Sequence, residues 1–190
     1  MNFENSVILS GLLHHLGRKK NDTHFSFSVR HENLWTDGTT RKDFLSARVF
    51  NPELQERIKA LAENTPVRVK GQLRTSKGSG ELFVAVSEVE VLDEKFELEN
   101  SVKLSGFVHV IKAQNEGETG TGKYVRFAVR QEIPDEHGHA RKDFLVVRVF
   151  NDALKEILAG KKSDDPVEVE GTMRSSKGSG VNYVMCSGIK

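Results

Sequence analysis

The sequence has a single cysteine and almost no net charge. Its 190 residues include Cys186 as the one cysteine, and 28 basic side chains stand against 27 acidic ones, which gives a formal charge of +1 at pH 7. One cysteine excludes an internal disulfide framework. A near-neutral chain is also unlike a histone-like or tail-like polycation, which is drawn to phosphate by its overall charge. Any contact with nucleic acid must therefore depend on local basic patches.

Long apolar runs are missing as well. No stretch approaches the roughly 18 to 20 apolar residues that a membrane-spanning helix needs. Nothing before Asn21 combines a basic segment with a long apolar run, so the sequence does not predict a signal peptide. We therefore expect a soluble, cytoplasmic protein without a membrane partner.

The sequence contains an internal repeat. Residues 41–51 (RKDFLSARVFN) and 141–151 (RKDFLVVRVFN) agree at nine of eleven positions. Residues 66–80 and 166–180 agree at ten of fifteen. This self-similarity indicates a tandem duplication.

The two copies differ in length at one predicted loop. The offset between them grows from 95 to 100 because a Gly/Thr-rich segment at 113–122 replaces the shorter segment 17–23. A surface loop is the place where an insertion is tolerated best. With a short charged linker at 93–99, we predict one domain at 1–94 and a second at 95–190, called copy one and copy two below.

Apolar alternation predicts five strands in each copy. One helix is predicted between the third and fourth strands, with Asn51 as its N-cap and Pro52 at its first position, and with Asn151 as the N-cap in copy two. The order β-β-β-α-β-β fits a five-stranded Greek-key barrel of the OB type and does not fit an RRM, which needs a helix after its first strand. We therefore predict a mostly β protein with two tandem OB-fold barrels. The strands are expected at 6–14, 24–31, 42–50, 66–75 and 81–91, and again at 101–111, 123–131, 142–150, 166–174 and 181–187.

Four ordered segments of copy one carry a family resemblance. They are NSVILSG at 5–11, FSFSVR at 25–30, DFLSARVF at 43–50 and VRVKGQLRTSK at 67–77. This set resembles bacterial single-stranded-DNA-binding proteins, and the duplication resembles their tandem-OB type. The resemblance implies sequence-tolerant binding and protection of single-stranded DNA in replication, recombination, repair or DNA transfer, and a nucleoid-associated location. It also implies a homodimer in which two chains supply four OB folds.

The third strand separates two faces. Alternation places Leu45, Ala47 and Val49 on one side, and this all-apolar side must be core. The other side presents an aromatic residue, a spacer, an arginine and a second aromatic residue. Bases stack on such rings, and a guanidinium binds phosphate or stacks as well. The alternative is that the phenylalanines plug the end of the barrel. On this strand we predict that DNA is bound by Phe44, Arg48, Phe50, Phe144, Arg148 and Phe150.

A tryptophan and several basic residues extend the predicted site. Trp35 precedes a turn between strands two and three and resembles a stacking residue of the family, although it could equally fold onto its own sheet. Strand four points Arg68 and Lys70 outward, whereas copy two has Glu168 and Glu170 there, so the two sites are expected to be unequal. Solvated surface charges are the alternative. Both copies keep an arginine on strand four and a lysine in the hairpin between strands four and five. We predict that DNA is also bound by Trp35, Arg68, Lys70, Arg74, Lys77, Arg174 and Lys177.

Two patterns that are typical of enzymes are incomplete in this sequence. Residues 117–124 (GETGTGKY) almost match a phosphate-binding loop, but Tyr124 replaces the required hydroxyl and a strand follows. The histidine pairs at 14–15 and at 137 and 139 lack zinc-type partners. We therefore predict no enzymatic activity, no metal and no cofactor. Two other functions remain open, an RNA-binding tandem OB protein and a protein-interaction module of a replication or transfer complex.

Overall fold

The computed structural model describes residues 3–16, 23–34, 37–109, 116–119, 122–134 and 139–190. Within these ranges the chain is mostly β-structure with two short helices. The elements of copy one are β1 (Asn5–His15), β2 (Phe25–Leu34), β3 (Thr40–Val49), α1 (Pro52–Lys59), β4 (Pro66–Thr75) and β5 (Leu82–Val91). Those of copy two are β6 (Asn100–His109), β7 (Glu116–Thr119), β8 (Gly122–Pro134), β9 (Ala140–Val149), α2 (Asp152–Ala159), β10 (Pro166–Ser175) and β11 (Asn182–Ile189).

The first five strands close into a barrel. β1 pairs with β2 and with β4, β2 pairs with β3, and β4 pairs with β5, all antiparallel. A short parallel pairing of β3 with β5, at Ala47 and Val84, completes the ring. Strands β6, β8, β9, β11 and β10 repeat this circuit, with β9 parallel to β11. The mostly β class and the helix after the third strand are confirmed. Whether each copy folds by itself stays a prediction.

The core follows the predicted alternation. On β3, Leu45, Ala47 and Val49 are at most 1% exposed. The helix α1 begins where Asn51 accepts a hydrogen bond from the backbone N–H of Leu54 at 3.0 Å, as an N-cap should. Its buried residues, Leu54 and Ile58, cover one end of the barrel, and α2 repeats the arrangement from its N-cap Asn151.

One strand was not expected. Residues 116–119, which lie in the segment predicted to be a loop, form β7 and pair antiparallel with the beginning of β8. The loop prediction is therefore wrong for these four residues. The reason is that β6 pairs with β8 only around residues 128–130, which leaves the first part of β8 with an open edge that a neighbouring segment can pair with.

The two barrels are joined by a direct pairing of β1 with β6. Val7 lies opposite Val102, Asn5 opposite Leu104, and Leu9 opposite Asn100. Asn5 and Asn100 occupy equivalent positions of the repeat, and so do Leu9 and Leu104, so the pairing is symmetric about the two valines. The copies are therefore related by an approximate two-fold axis, and a continuous sheet runs through both of them.

Candidate functional site

The outer side of the third strand of each barrel carries exposed phenylalanines. Phe44 is 41% exposed, Phe50 48% and Phe144 37%, while Phe150 is half-buried. Alternation along β3 and β9 places Phe44 and Phe144 opposite the core, and Phe50 and Phe150 directly follow the last residue of each strand. A plug at the end of a barrel would be buried, so the three exposed rings do not have that role.

In copy one these rings lie beside an arginine that rests on a further aromatic ring. The guanidinium of Arg48 lies 4.1 Å from the ring centroid of Phe83, a distance typical of a cation-π contact. The rings of Phe50 and Phe83 are 6.4 Å apart, and those of His24 and Phe50 are 5.4 Å apart. We call Phe44, Arg48, Phe50 and Phe83 the copy-one stacking face.

Copy two repeats this arrangement with tyrosines. The guanidinium of Arg148 lies 3.9 Å from the ring centroid of Tyr183 and 4.7 Å from that of Tyr124. Tyr124 in turn lies 5.4 Å from Phe150. Phe144, Arg148, Phe150 and Tyr183 form the copy-two stacking face. Each barrel therefore has an arginine in contact with an aromatic ring, flanked along the chain by two phenylalanines that are at least partly exposed.

The charge of Arg48 is destabilised where it lies. Burial lowers the pKa of this guanidinium, and repulsion from Arg141 acts in the same direction, while attraction to Glu81 acts against both. Burial, followed by the charge of Arg48, also lowers the pKa of His24. An anion that approached Arg48 would offset this unfavourable environment. The position is therefore suited to a phosphate group.

A histidine lies at the Phe44 end of each face. The ring of His14 is 5.2 Å from that of Phe44, and the equivalent His109 is 4.7 Å from Phe144. His14 is held by Glu63 through a contact of 2.6 Å between Nδ1 and Oε1. Hydrogen bonds from the backbone N–H of His15 and from His14 lower the pKa of Glu63. Copy two has serine at the position of Glu63, so the carboxylate that contacts His14 has no equivalent at that position.

Two predicted contact residues, Arg74 and Arg174, lie between the copies. Arg74 Nε is 2.6 Å from a carboxylate oxygen of Asp143, and Arg174 Nε is 3.0 Å from one of Asp43. Both aspartates are fully buried. A buried carboxylate requires a partner of opposite charge, and the two arginines supply it across the two-fold axis. We therefore do not assign them to the stacking faces.

The outward residues of strand four are also engaged by carboxylates. Arg68 donates hydrogen bonds to Glu90, at 2.8 Å, and to Glu99, and these bonds raise its pKa. Lys70 Nζ lies 3.3 Å from a carboxylate oxygen of Glu88. In the barrel β4 lies between β5 and β1, so these two residues are not brought together with the face on β3.

The predicted loop lysines are exposed at hairpin tips. Lys77 and Lys177 lie in turns where Gly78 and Gly178 have φ values of 90° and 85°, a region that favours glycine. These turns join β4 to β5 and β10 to β11. Trp35, the remaining predicted residue, lies outside the described residues.

Sequence reasoning missed the aromatic residues beneath the arginines. Phe83 and Tyr183 are each 3% exposed, although they lie between two other buried positions, where alternation predicts an outward side chain. They are covered by the arginine of the neighbouring third strand. The repeat could have pointed to these residues, because both copies keep an aromatic residue at this position. A second pair of rings at equivalent positions, His24 and Tyr124, could have pointed to the same region.

The structure also bears on a metal site, on the cysteine and on membrane-spanning helices. No group of three or more His, Cys, Asp or Glu residues there could hold a metal ion. Burial raises the pKa of the Cys186 thiol to about 11, so it is protonated and unreactive near neutral pH. In the part of the chain that the structure describes, no helix has the length and apolarity to cross a membrane.

Comparison with known proteins identifies the fold. No protein-family model and no curated protein matches the sequence. Among solved structures, the wild-type single-stranded DNA binding protein from Thermus aquaticus matches with a TM-score of 0.72 at 17% identity, over 100% of this chain and 93% of that chain. A deletion mutant of the same protein matches with a TM-score of 0.69 at 17% identity, over 99% and 94%. At this identity the likeness establishes a shared fold.

Proposed function

We propose that this chain binds single-stranded DNA without marked sequence preference, through the stacking faces of both copies. The observation that carries the proposal is the repeated arrangement of accessible phenylalanines around an arginine that lies on a ring. The protein from Thermus aquaticus that shares the fold is a single-stranded DNA binding protein, which supports the same reading.

The chemistry of the faces explains tolerance of sequence. Every base has a π-face that can stack on Phe44, Phe50, Phe144 or Phe150, and such stacking contributes about 1 to 3 kcal/mol per base. Arg48 and Arg148 meet the phosphates between stacked bases. The exposed Lys77 and Lys177 add charge at the hairpin tips. Since ring stacking does not depend on the pattern of donors and acceptors on a base, binding follows strand accessibility rather than sequence.

Titration with fluorescently labelled oligo-dT tests the proposal. A length of about 30 nucleotides is enough for two OB folds, since each occupies roughly 4 to 16 nucleotides. We expect much tighter binding to oligo-dT than to a duplex of equal length. Trp35 is the single tryptophan, so quenching of tryptophan fluorescence, excited selectively over that of the tyrosines, reports copy one alone. Equal affinity for the duplex, or no binding to oligo-dT, would contradict the proposal.

RNA is the second candidate ligand, because the same rings and arginines stack and bind any single strand. Competition between poly-dT and poly-U separates the two. We expect poly-dT to displace bound oligo-dT at lower nucleotide concentration than poly-U, and the reverse order would assign the faces to RNA.

We further propose, from the family resemblance, that two chains associate so that four barrels surround one strand. Light scattering at micromolar concentration should then give twice the chain mass of 21.3 kDa. A pure monomer would remove this part of the proposal and leave the binding faces unaffected.

A further inference from the structure

The two stacking faces continue differently around their barrels. In copy two, Phe144 on β9 lies opposite Arg130 on β8, which lies opposite Phe107 on β6. In copy one the same row runs from Phe44 to Arg30 and ends at Leu12. Copy two therefore has a ring where copy one has a leucine.

Phe107 forms one wall of an open groove of about 420 Å³. The guanidinium of Arg130 lies 5.2 Å from the centroid of its ring. Phe3 meets the same ring edge-on, with 5.7 Å between centroids and an interplanar angle of 81°. Lys161 and Lys190 also line the groove. We call this site the Phe107 groove.

All four of these lining residues differ from the residues at the equivalent positions of the other copy. Leucines replace Phe3, Phe107 and Lys161 at positions 98, 12 and 61, and Glu90 replaces Lys190. Phe3 belongs to copy one but reaches copy two because β1 and β6 run side by side. Within the residues that the structure describes, the two equivalent ends of the duplicated chain therefore differ in these aromatic and basic side chains.

The charge of the groove favours an anion. Lys161 and Lys190 face one acidic lining residue, Glu168. Lys161 Nζ donates to the carbonyl oxygen of Pro166 at 3.1 Å and stays exposed enough to reach solvent. Arg130 is bound by Asp164 at 2.5 Å, so we assign to it the stacking contact with Phe107 and not a phosphate.

We propose that the Phe107 groove binds a nucleotide of the strand that stacks on Phe144, so that copy two contacts a longer stretch of nucleic acid than copy one. This inference rests on the proposed function. Neighbouring strands of a sheet are about 4.8 Å apart, so Phe107 lies roughly 10 Å from Phe144 along the row. A strand that leaves Phe144 crosses Arg130, stacks a base on Phe107, and places phosphates near Lys161 and Lys190.

Substitution by the residues of copy one tests the groove. Phe107→Leu removes the ring and keeps an apolar side chain, and should weaken binding to oligo-dT of about 30 nucleotides by roughly 5- to 150-fold. The matched control is Leu12→Ala at the equivalent position of copy one. It should leave the affinity of the folded protein unchanged.

The two lysines give a second test that does not depend on core packing. The double variant Lys161→Ala with Lys190→Ala should reduce the slope of log affinity against log salt by about 1.4, at about 0.7 for each phosphate contact on a single strand. Lys95 is an exposed lysine of the linker, and Lys95→Ala controls for the loss of positive charge in general. It should change the slope by less than the value of about 0.7 that one phosphate contact contributes.

The outcomes separate the groove from the faces. If Phe144→Ala weakens binding while Phe107→Leu and the double lysine variant bind like the parent with an unchanged slope, the groove is not a nucleotide site and the proposed function stands. If the parent protein does not bind oligo-dT, both proposals fall. Weaker binding by Phe107→Leu together with a reduced slope in the lysine variant supports the groove.

Discussion

Replacing the exposed phenylalanines should weaken DNA binding while the protein stays folded. Phe44 is 41% exposed and Phe144 37%, so each ring has already kept much of its surface in water. Burial of a whole phenylalanine side chain contributes about 1.5 to 3 kcal/mol, so Phe44→Ala should cost about 1 to 2 kcal/mol of unfolding free energy. The lost stacking should weaken oligo-dT binding by roughly 5- to 150-fold.

The neighbouring residue on β3 provides the matched control. Leu45 is fully buried, and Leu45→Ala should lower the unfolding free energy by about 2 to 5 kcal/mol because it leaves a cavity. Its side chain points away from the stacking face, so the folded protein should bind oligo-dT with almost the parent affinity. The same comparison applies in copy two, with Phe144→Ala against Val149→Ala.

Two measurements on each variant decide the matter. Urea denaturation gives the unfolding free energy. Fluorescence anisotropy of labelled oligo-dT, measured without urea, gives the affinity. The protein concentration used to calculate the affinity is that of the folded fraction. If folded Phe44→Ala and Phe144→Ala both bind like the parent, the reasoning about the stacking faces is refuted. The protein-interaction alternative would then take precedence. If Leu45→Ala loses binding while it remains folded, the assignment of the two sides of β3 is inverted.

Three further predictions concern charged groups. Arg48→Ala and Arg148→Ala should each flatten the dependence of log affinity on log salt by about 0.7, and an unchanged slope would remove the phosphate contact. Asp43→Ala removes the carboxylate that Arg174 contacts and should cost about 3 to 5 kcal/mol in urea denaturation, while the folded protein keeps its affinity for an oligo-dT too short to reach both faces; loss of that affinity would mean that a single face already depends on the contact between the copies. Since burial lowers the pKa of His24 from 6.5, the unfolded chain takes up this proton more readily, and stability should fall as the pH drops through about 6.5. His24→Tyr, the residue of copy two, should weaken that fall in thermal denaturation, and an identical pH dependence would contradict this.

The sequence predicted the barrels well because their cores obey short-range rules. Alternation identified Leu45, Ala47 and Val49 as core, and the Asn51 cap marked the start of α1, since both depend on neighbours within a few residues. The strand β7 escaped prediction because its residues have low strand propensity. It forms because of an open edge of β8, which is a property of the assembled sheet.

The candidate site was predicted in outline for the same reason. The outward positions of β3 and β9 follow from alternation, whereas the rings beneath Arg48 and Arg148 come from a different strand that pairs with the third strand only briefly, at Ala47 and Val84 in copy one. No local pattern in the sequence encodes that pairing. Phe83 was therefore invisible as a partner of Arg48, although the two are in contact.

The arginines at 74 and 174 show why a repeat can mislead. Both copies keep arginine at this position, which suggested a shared contact with DNA, but each arginine binds an aspartate in the other copy. An interface with two-fold symmetry uses each of its residues twice, so it produces the same identity between copies that a duplicated binding site produces.

The block with the highest identity between copies is 41–51 and 141–151. It contains residues of the contact between the copies and residues of the proposed binding site, on opposite sides of one strand. Asp43 and Asp143 point inward to the contact between copies and are fully buried, while the phenylalanine that follows each is exposed. Identity between copies therefore marks positions that are used twice, and exposure separates the two uses. This criterion agrees with our proposal that the exposed Phe44 and Phe144 bind a ligand, whereas the buried aspartates belong to the contact between the copies. A variant that weakens that contact without unfolding the barrels should bind short oligonucleotides normally and lose affinity only for strands long enough to reach both faces.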